Sequence, residues 1–181
     1  MNDYILISKC QKKDPLAQRQ LFDRYYNYIY TIGIRYIKNH HDTEDVVSEI
    51  FNRIFLNIDK VLSTNNQGLK RWIQTIAINE SLRFINKKHP IDYTDDNERL
   101  VHNELNILDS GLDITYIHQK INELPEGYRR IFLLNVVEGL SHTEIAEHLG
   151  ISRNTSKSQM LKARKYLQLE LKKHETAKLR P

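Results

Sequence analysis

Cysteine is nearly missing from this chain of 181 residues: Cys10 stands alone. No disulfide can close within the chain, and no cysteine-based zinc site can form. Proline and glycine are scarce, at four and six residues. Hairpin sandwiches and barrels need many turn residues, so their scarcity argues against those folds. No Gly-rich phosphate loop is present, which removes the commonest nucleotide cradle. No run of about twenty apolar residues exists, so no helix is expected to span a membrane. The opening residues, Met-Asn-Asp-Tyr, lack the cationic start and apolar stretch of a signal peptide. The expected compartment is the cytoplasm.

What the chain does have is helical periodicity. Apolar residues recur at three and four almost throughout, and 40% hydrophobic content supports a folded core. The expected class is all-α: two small helical domains, the second ending in a helix-turn-helix. Helices are expected over about 3–13, 16–38, 42–58 and 69–88. Asp42 is read as the cap of the third, and Val47, Ile50, Phe51, Ile54 and Ile58 as its buried stripe. A polar loop over 63–68 precedes the fourth. Residues 1–89 form the first domain, 90–112 an acidic linker, 113–175 the second domain and 176–181 a tail frayed from about His174. In the second domain one helix is expected over about 114–122, and Pro125 opens the next. The formal charge of +4 is modest but unevenly spread. Cations cluster from Arg153 to Arg180, while the linker is acidic, which suits a nucleic-acid binder with a non-binding connector.

The most specific local signal runs from Glu138 to Arg164. Ser141 and Glu144 have the spacing of a capping box. Ile145, Ala146 and Leu149 give one apolar face, and Gly150 ends that helix in the left-handed region. Ser152 caps a second helix in which Ser156, Met160, Ala163 and Leu167 face inward. Arg153, Asn154, Lys157, Ser158, Leu161, Lys162 and Lys165 are left pointing out. Such a face fits the major groove, where cations meet phosphates and short polar groups meet base edges. In the first domain, Asn79, Arg83, Asn86 and Lys87 share one side of a helix that carries Trp72 near its start. Aromatic, amide and basic groups together suit single-stranded DNA, although an aromatic at helical spacing also suits a core.

Four segments, in order and spacing, resemble the extracytoplasmic-function sigma factors of bacterial RNA polymerase. They are Asp42-Thr-Glu-Asp-Val-Val-Ser-Glu-Ile-Phe51, Arg71-Trp-Ile-Gln-Thr-Ile-Ala-Ile-Asn79, Leu124-Pro-Glu-Gly-Tyr-Arg-Arg130 and the helix-turn-helix. The resemblance covers nearly the whole chain apart from the linker and the tail. It implies a protein that binds core polymerase at the clamp of the beta-prime subunit, binds promoter DNA, and is held by an anti-sigma factor. It assigns Asp45, Glu49, Asn52 and Arg53 to polymerase docking. Trp72, Asn79, Arg83 and Lys87 fall in the part that melts and holds the minus-ten element. Arg153, Asn154, Thr155, Lys157, Ser158, Leu161 and Lys162 fall in the reader of the minus-thirty-five element. Three residues depart from the family pattern. Ser48 replaces a glutamine in the docking helix, Ser156 replaces a branched apolar residue, and Gln159 replaces an arginine near the DNA backbone. The Ser156 hydroxyl is expected to bond back to a carbonyl one turn earlier.

Two other classes have partial signals in the sequence. An enzyme or metal site would draw on His40, His41, His142 and His148. His142-Thr-Glu144 lacks the cysteine pair of zinc deaminases, and Glu147-His148 lacks the second histidine of a His-Glu-x-x-His site. No enzyme activity, metal or cofactor is expected. The stronger rival is a stand-alone helix-turn-helix regulator with a sensing or dimerising first domain.

Overall fold

The computed structural model describes residues 3–61, 66–91, 93 and 114–178. The chain divides into two units, Met1–Pro90 and Ile91–Pro181. The described residues of both are helical, with no strand among them.

In the first unit, α1 (Asp3–Gln11) lies on α2 (Pro15–Ile37), and α2, α3 (His40–Asn57) and α4 (Asn66–Lys88) pack on one another in all three pairings. A single 3-10 turn, Ile58–Lys60, follows α3. Asp14 starts α2 by accepting from the backbone N–H of Leu16 and Ala17 at 2.9 and 3.2 Å. Pro15 fills the first helical position, where a missing N–H costs nothing. Lys38 ends the helix in the left-handed region at φ 62°. The cap of α3 is Asn39, not Asp42: its side-chain oxygen accepts from the Asp42 N–H at 3.0 Å. Asp42 therefore stands inside the first turn, where a negative charge favours the helix N-terminus. The expected stripe of Val47, Ile50, Phe51, Ile54 and Ile58 is buried. It meets Leu21, Ile29 and Ile32 of α2 and Ile73, Ala77 and Ile78 of α4 in one core. Gly33 allows α2 and α3 to approach, since a Cβ there would stand 3.0 Å from the Thr43 methyl. α4 begins three residues before the expected Leu69, and residues 62–65 of the preceding loop lie outside the described residues.

In the second unit, α5 (Ile114–Glu123) and α6 (Glu126–Phe132) precede a π-helical turn, Leu133–Val137, then α7 (His142–Leu149) and α8 (Arg153–Lys178). Pro125 sits at the cap of α6, one residue outside it. The capping box is complete: the Glu144 N–H donates to Ser141 Oγ at 3.3 Å, and the Ser141 N–H donates to the Glu144 carboxylate at 2.8 Å. Gly150 closes α7 at φ 66°. Ser152 then accepts from the Thr155 N–H at 2.9 Å and starts α8. Ile145, Met160, Ala163 and Leu167 form the seam. α8 continues past the expected fray at His174, whose ring stacks on Tyr116 of α5 at 3.9 Å, and ends at Lys178.

Most of the expected linker, 94–112, lies outside the described residues. Its start does not behave as a loose connector: Ile91 and Tyr93 belong to the second unit and pack over Gly127 of α6. A Cβ at Gly127 would stand 3.4 Å from the Tyr93 ring and 3.7 Å from Ile91. Burial raises the Tyr93 phenol above its ordinary pKa, against the lowering influence of Arg130.

Candidate nucleic-acid interface

α8 presents its basic face much as the spacing predicts, with two corrections. Arg153 and Asn154 are exposed, and Lys157, Leu161 and Lys162 are half-buried. Thr155 and Ser158 are not on the outer face; they are 3% and 7% exposed. The Thr155 hydroxyl pairs with Ser152 Oγ at 2.7 Å, and Ser158 Oγ donates to the Thr155 carbonyl at 3.0 Å. The physical reason is that α8 packs on both α6 and α7, so its buried stripe is wider than one helical seam. Gln159 is buried for the same reason, its side-chain oxygen 3.7 Å from a Cβ built at Gly127. It is an interior residue rather than a surface position that has lost a cation.

Ser156 also differs from expectation. Its hydroxyl bonds to His142 Nδ1 at 2.8 Å, not to a carbonyl one turn back. His142, which the sequence brings up only as a metal ligand, thus joins the interface at the start of α7. Burial lowers its pKa, followed by the positive charges of Lys157, Arg164 and Arg153. A fourteen-residue separation between His142 and Ser156 leaves no local signal for this pair. Beneath the interface, Arg129 and Arg130 are each 1% exposed and share the Glu126 carboxylate at 3.0 to 3.2 Å. Burial alone would raise the Glu126 pKa, but bonds and charge from both arginines hold it below the ordinary range.

On α4, Asn79, Arg83, Asn86 and Lys87 are all exposed on one side of the helix. Trp72 is half-buried near its start, so its ring is partly core and partly surface. Asp45, Glu49 and Asn52 stand exposed on α3. Arg53 is corrected: it is not free on that surface but half-buried, 3.3 Å from Glu49 and 3.0 Å from Glu80 of α4. Glu80, which the sequence does not single out, also lies 3.8 Å from Arg83. Asp45, Glu49, Arg53, Glu80, Arg83 and Lys87 line a groove of about 370 Å³ between α3 and α4, with Val46 and Phe84 as its apolar part. One wall holds Asp45, Glu49 and Arg53 of the candidate docking residues, and the other holds Arg83 and Lys87. Lys88 and Asp42, 2.7 Å apart, link the same two helices.

The arrangement offers two cationic, polar helix faces suited to nucleic acid and an acidic face suited to a basic protein surface. Comparison with known proteins finds a family model for each unit. The family model for Sigma-70 region 2 matches residues 21–90, and that for Sigma-70 region 4 matches 114–167. The ECF RNA polymerase sigma factor SigW of Bacillus subtilis (strain 168) is 31% identical over 179 residues, covering 92% of this chain and 95% of the relative. SigV of the same strain is 28% identical over 150 residues, covering 81% and 86%. The ECF RNA polymerase sigma-E factor of Escherichia coli (strain K12) is 25% identical over 177 residues, covering 91% of each. Two solved structures share the fold. The sigma factor RpoE in complex with the anti-sigma factor NepR from Bartonella quintana has a TM-score of 0.52 at 23% identity, covering 85% and 96%. CnrH in complex with the cytosolic domain of CnrY has a TM-score of 0.53 at 19% identity, covering 95% and 98%. Matches to both units leave the stand-alone regulator without support. The chain belongs to the sigma-70 family and, within it, to the ECF RNA polymerase sigma factors.

Proposed function

We propose that this sigma factor binds core RNA polymerase through the acidic face of α3 and directs it to promoters that its two units read separately. Asp45, Glu49 and Asn52 make the polymerase contact, with Arg53 at its edge and the beta-prime clamp as the counterpart. Trp72, Asn79, Arg83 and Lys87 hold the opened minus-ten strand: the ring stacks on a base while the cations track the backbone. Arg153, Asn154, Lys157, Leu161 and Lys162 read the minus-thirty-five element in the major groove. Thr155 and Ser158 support that helix from beneath. The observation that carries this reading is the exposure of cationic, polar faces on α4 and α8, one in each unit. Sigma factors are regulatory rather than catalytic, and this one works by binding and by opening DNA. An anti-sigma factor is the expected inhibitor; the similar sigma factor RpoE is in complex with the anti-sigma factor NepR. The site of action is the cytoplasm, where polymerase and chromosome meet.

The test is run-off transcription with core polymerase on genomic fragments, beside direct binding to the same fragments. Specific initiation is expected only with polymerase present, because two small readers on one chain need a scaffold to engage together. Nanomolar promoter binding by the isolated chain, with polymerase adding nothing, would overturn the reading.

A further inference from the structure

Glu80 is assigned to neither surface, yet its carboxylate stands between them. Its Oε2 lies 3.0 Å from Arg53 Nε and 3.8 Å from Arg83 Nη1. The Glu80 side chain is 12% exposed, whereas that of Arg83 is 69% exposed. Arg53 is shared in turn, since Glu49 Oε1 lies 3.3 Å from the same nitrogen. Neither approach has hydrogen-bond geometry, so Arg53 Nε is enclosed between two carboxylates without a bond to either. An enclosed donor left unsatisfied is costly. Such a donor settles on one carboxylate when the other is taken away. What lies beyond the two acids differs. Glu49 is exposed on α3 beside Asp45, where a basic partner can claim it; Glu80 restrains a cation on the DNA face.

We propose that Glu80 is a positioning residue that couples polymerase docking to strand binding. When a basic partner surface takes Glu49, Arg53 settles on Glu80, and Arg83 is released to the opened DNA strand. Coupling of this kind is reciprocal, so strand engagement strengthens polymerase binding by the same factor. Exposed ion pairs are individually weak, which sets the expected factor at about two- to fivefold. The inference rests on the assignment of α3 to polymerase and of α4 to the strand.

The test uses the full chain, core polymerase and a promoter fragment recovered by run-off transcription, premelted over its downstream element. Strand affinity is measured for the free chain and for the holoenzyme. Glu80→Gln keeps the size and removes the charge. It should raise the free chain's strand affinity about two- to fivefold and reduce the gain conferred by polymerase by the same factor. Arg53→Gln leaves Glu80 wholly to Arg83, so it should lower the free chain's strand affinity. A merely structural role would move both variants in one direction. In a chain already carrying Arg83→Gln, Glu80→Gln should change nothing. An unaltered polymerase-conferred gain in Glu80→Gln, or an effect that persists in the Arg83→Gln background, would overturn the coupling alone. No gain from polymerase in the wild-type chain would overturn the assignment of the two surfaces, and the coupling with it.

Discussion

The two units present similar faces to nucleic acid but support them from different interiors. In the first, the buried residues are almost wholly apolar, with Asp3, Thr43 and Ser81 as the buried polar side chains. In the second, Arg129, Arg130, Thr155, Ser156, Ser158 and Gln159 are all buried. α4 is positioned by an apolar stripe pressed on α2 and α3, and volume is what matters there. α8 is positioned by its apolar seam together with a cap and buried hydroxyls, so individual hydrogen bonds matter there as well. A helix of the first kind tolerates polar change on its open face. A helix of the second kind transmits loss of a single polar partner to the whole reading surface.

The largest contrast comes from a charge placed under α8. Met160→Glu should unfold the second unit and leave the first folded, because the buried carboxylate would have no partner. Hydrogen exchange resolved by residue checks this, and wild-type protection in α7 and α8 would refute it. Next in size is Glu126→Ala, which removes the carboxylate shared by Arg129 and Arg130. The arginines are buried but the Glu126 side chain is 38% exposed, so the cost is discounted from that of a fully buried pair to about 1–3 kcal/mol. A denaturant melt of the second unit that shifts by less than about 1 kcal/mol would show that other groups hold the arginines.

Lys157→Glu sharpens the comparison at the surface rather than the core. It should weaken binding to the upstream element by about 1–3 kcal/mol at unchanged thermal stability. Equal transcription from wild type and variant, near physiological salt, would remove Lys157 from the interface. The smallest effect expected is a pH dependence centred on the second unit. His142 and His148 both titrate below the ordinary 6.5 when folded, chiefly through burial. The unfolded chain therefore takes up protons first as the pH falls. Their stability contribution is complete above about pH 6.5 and is lost as pH drops through the folded values. His142→Gln should flatten that dependence while its amide can still bond to Ser156; an unchanged slope would show that the dependence lies elsewhere.

Much of the second unit was legible because its devices are local. Ser141 and Glu144, Gly150, and Ser152 each act within four residues, and each does in the structure what its spacing implies. The third helix was legible in its buried stripe but not in its cap. Asn39 and Asp42 are both good caps, and only the backbone path from Lys38 at φ 62° selects between them. The outer face of α8 was legible at Arg153 and Asn154, which are exposed as their polarity implies. It misled at Thr155 and Ser158, because periodicity assumes one packing partner and this part of α8 packs on both α6 and α7.

The sequence by itself determined the helical class, the helix ends that carry their own caps, the two-unit order and the family. These depend on hydrogen bonds and apolar spacing within a turn or two, and such information is written along the chain. Tertiary structure alone decided which polar side chains are interior and which cations are shared. His142 meets Ser156 across fourteen residues, and Arg53 meets Glu80 across two helices. Those pairings depend on how helices cross, which is set by the fit of whole faces rather than by any local run of residues.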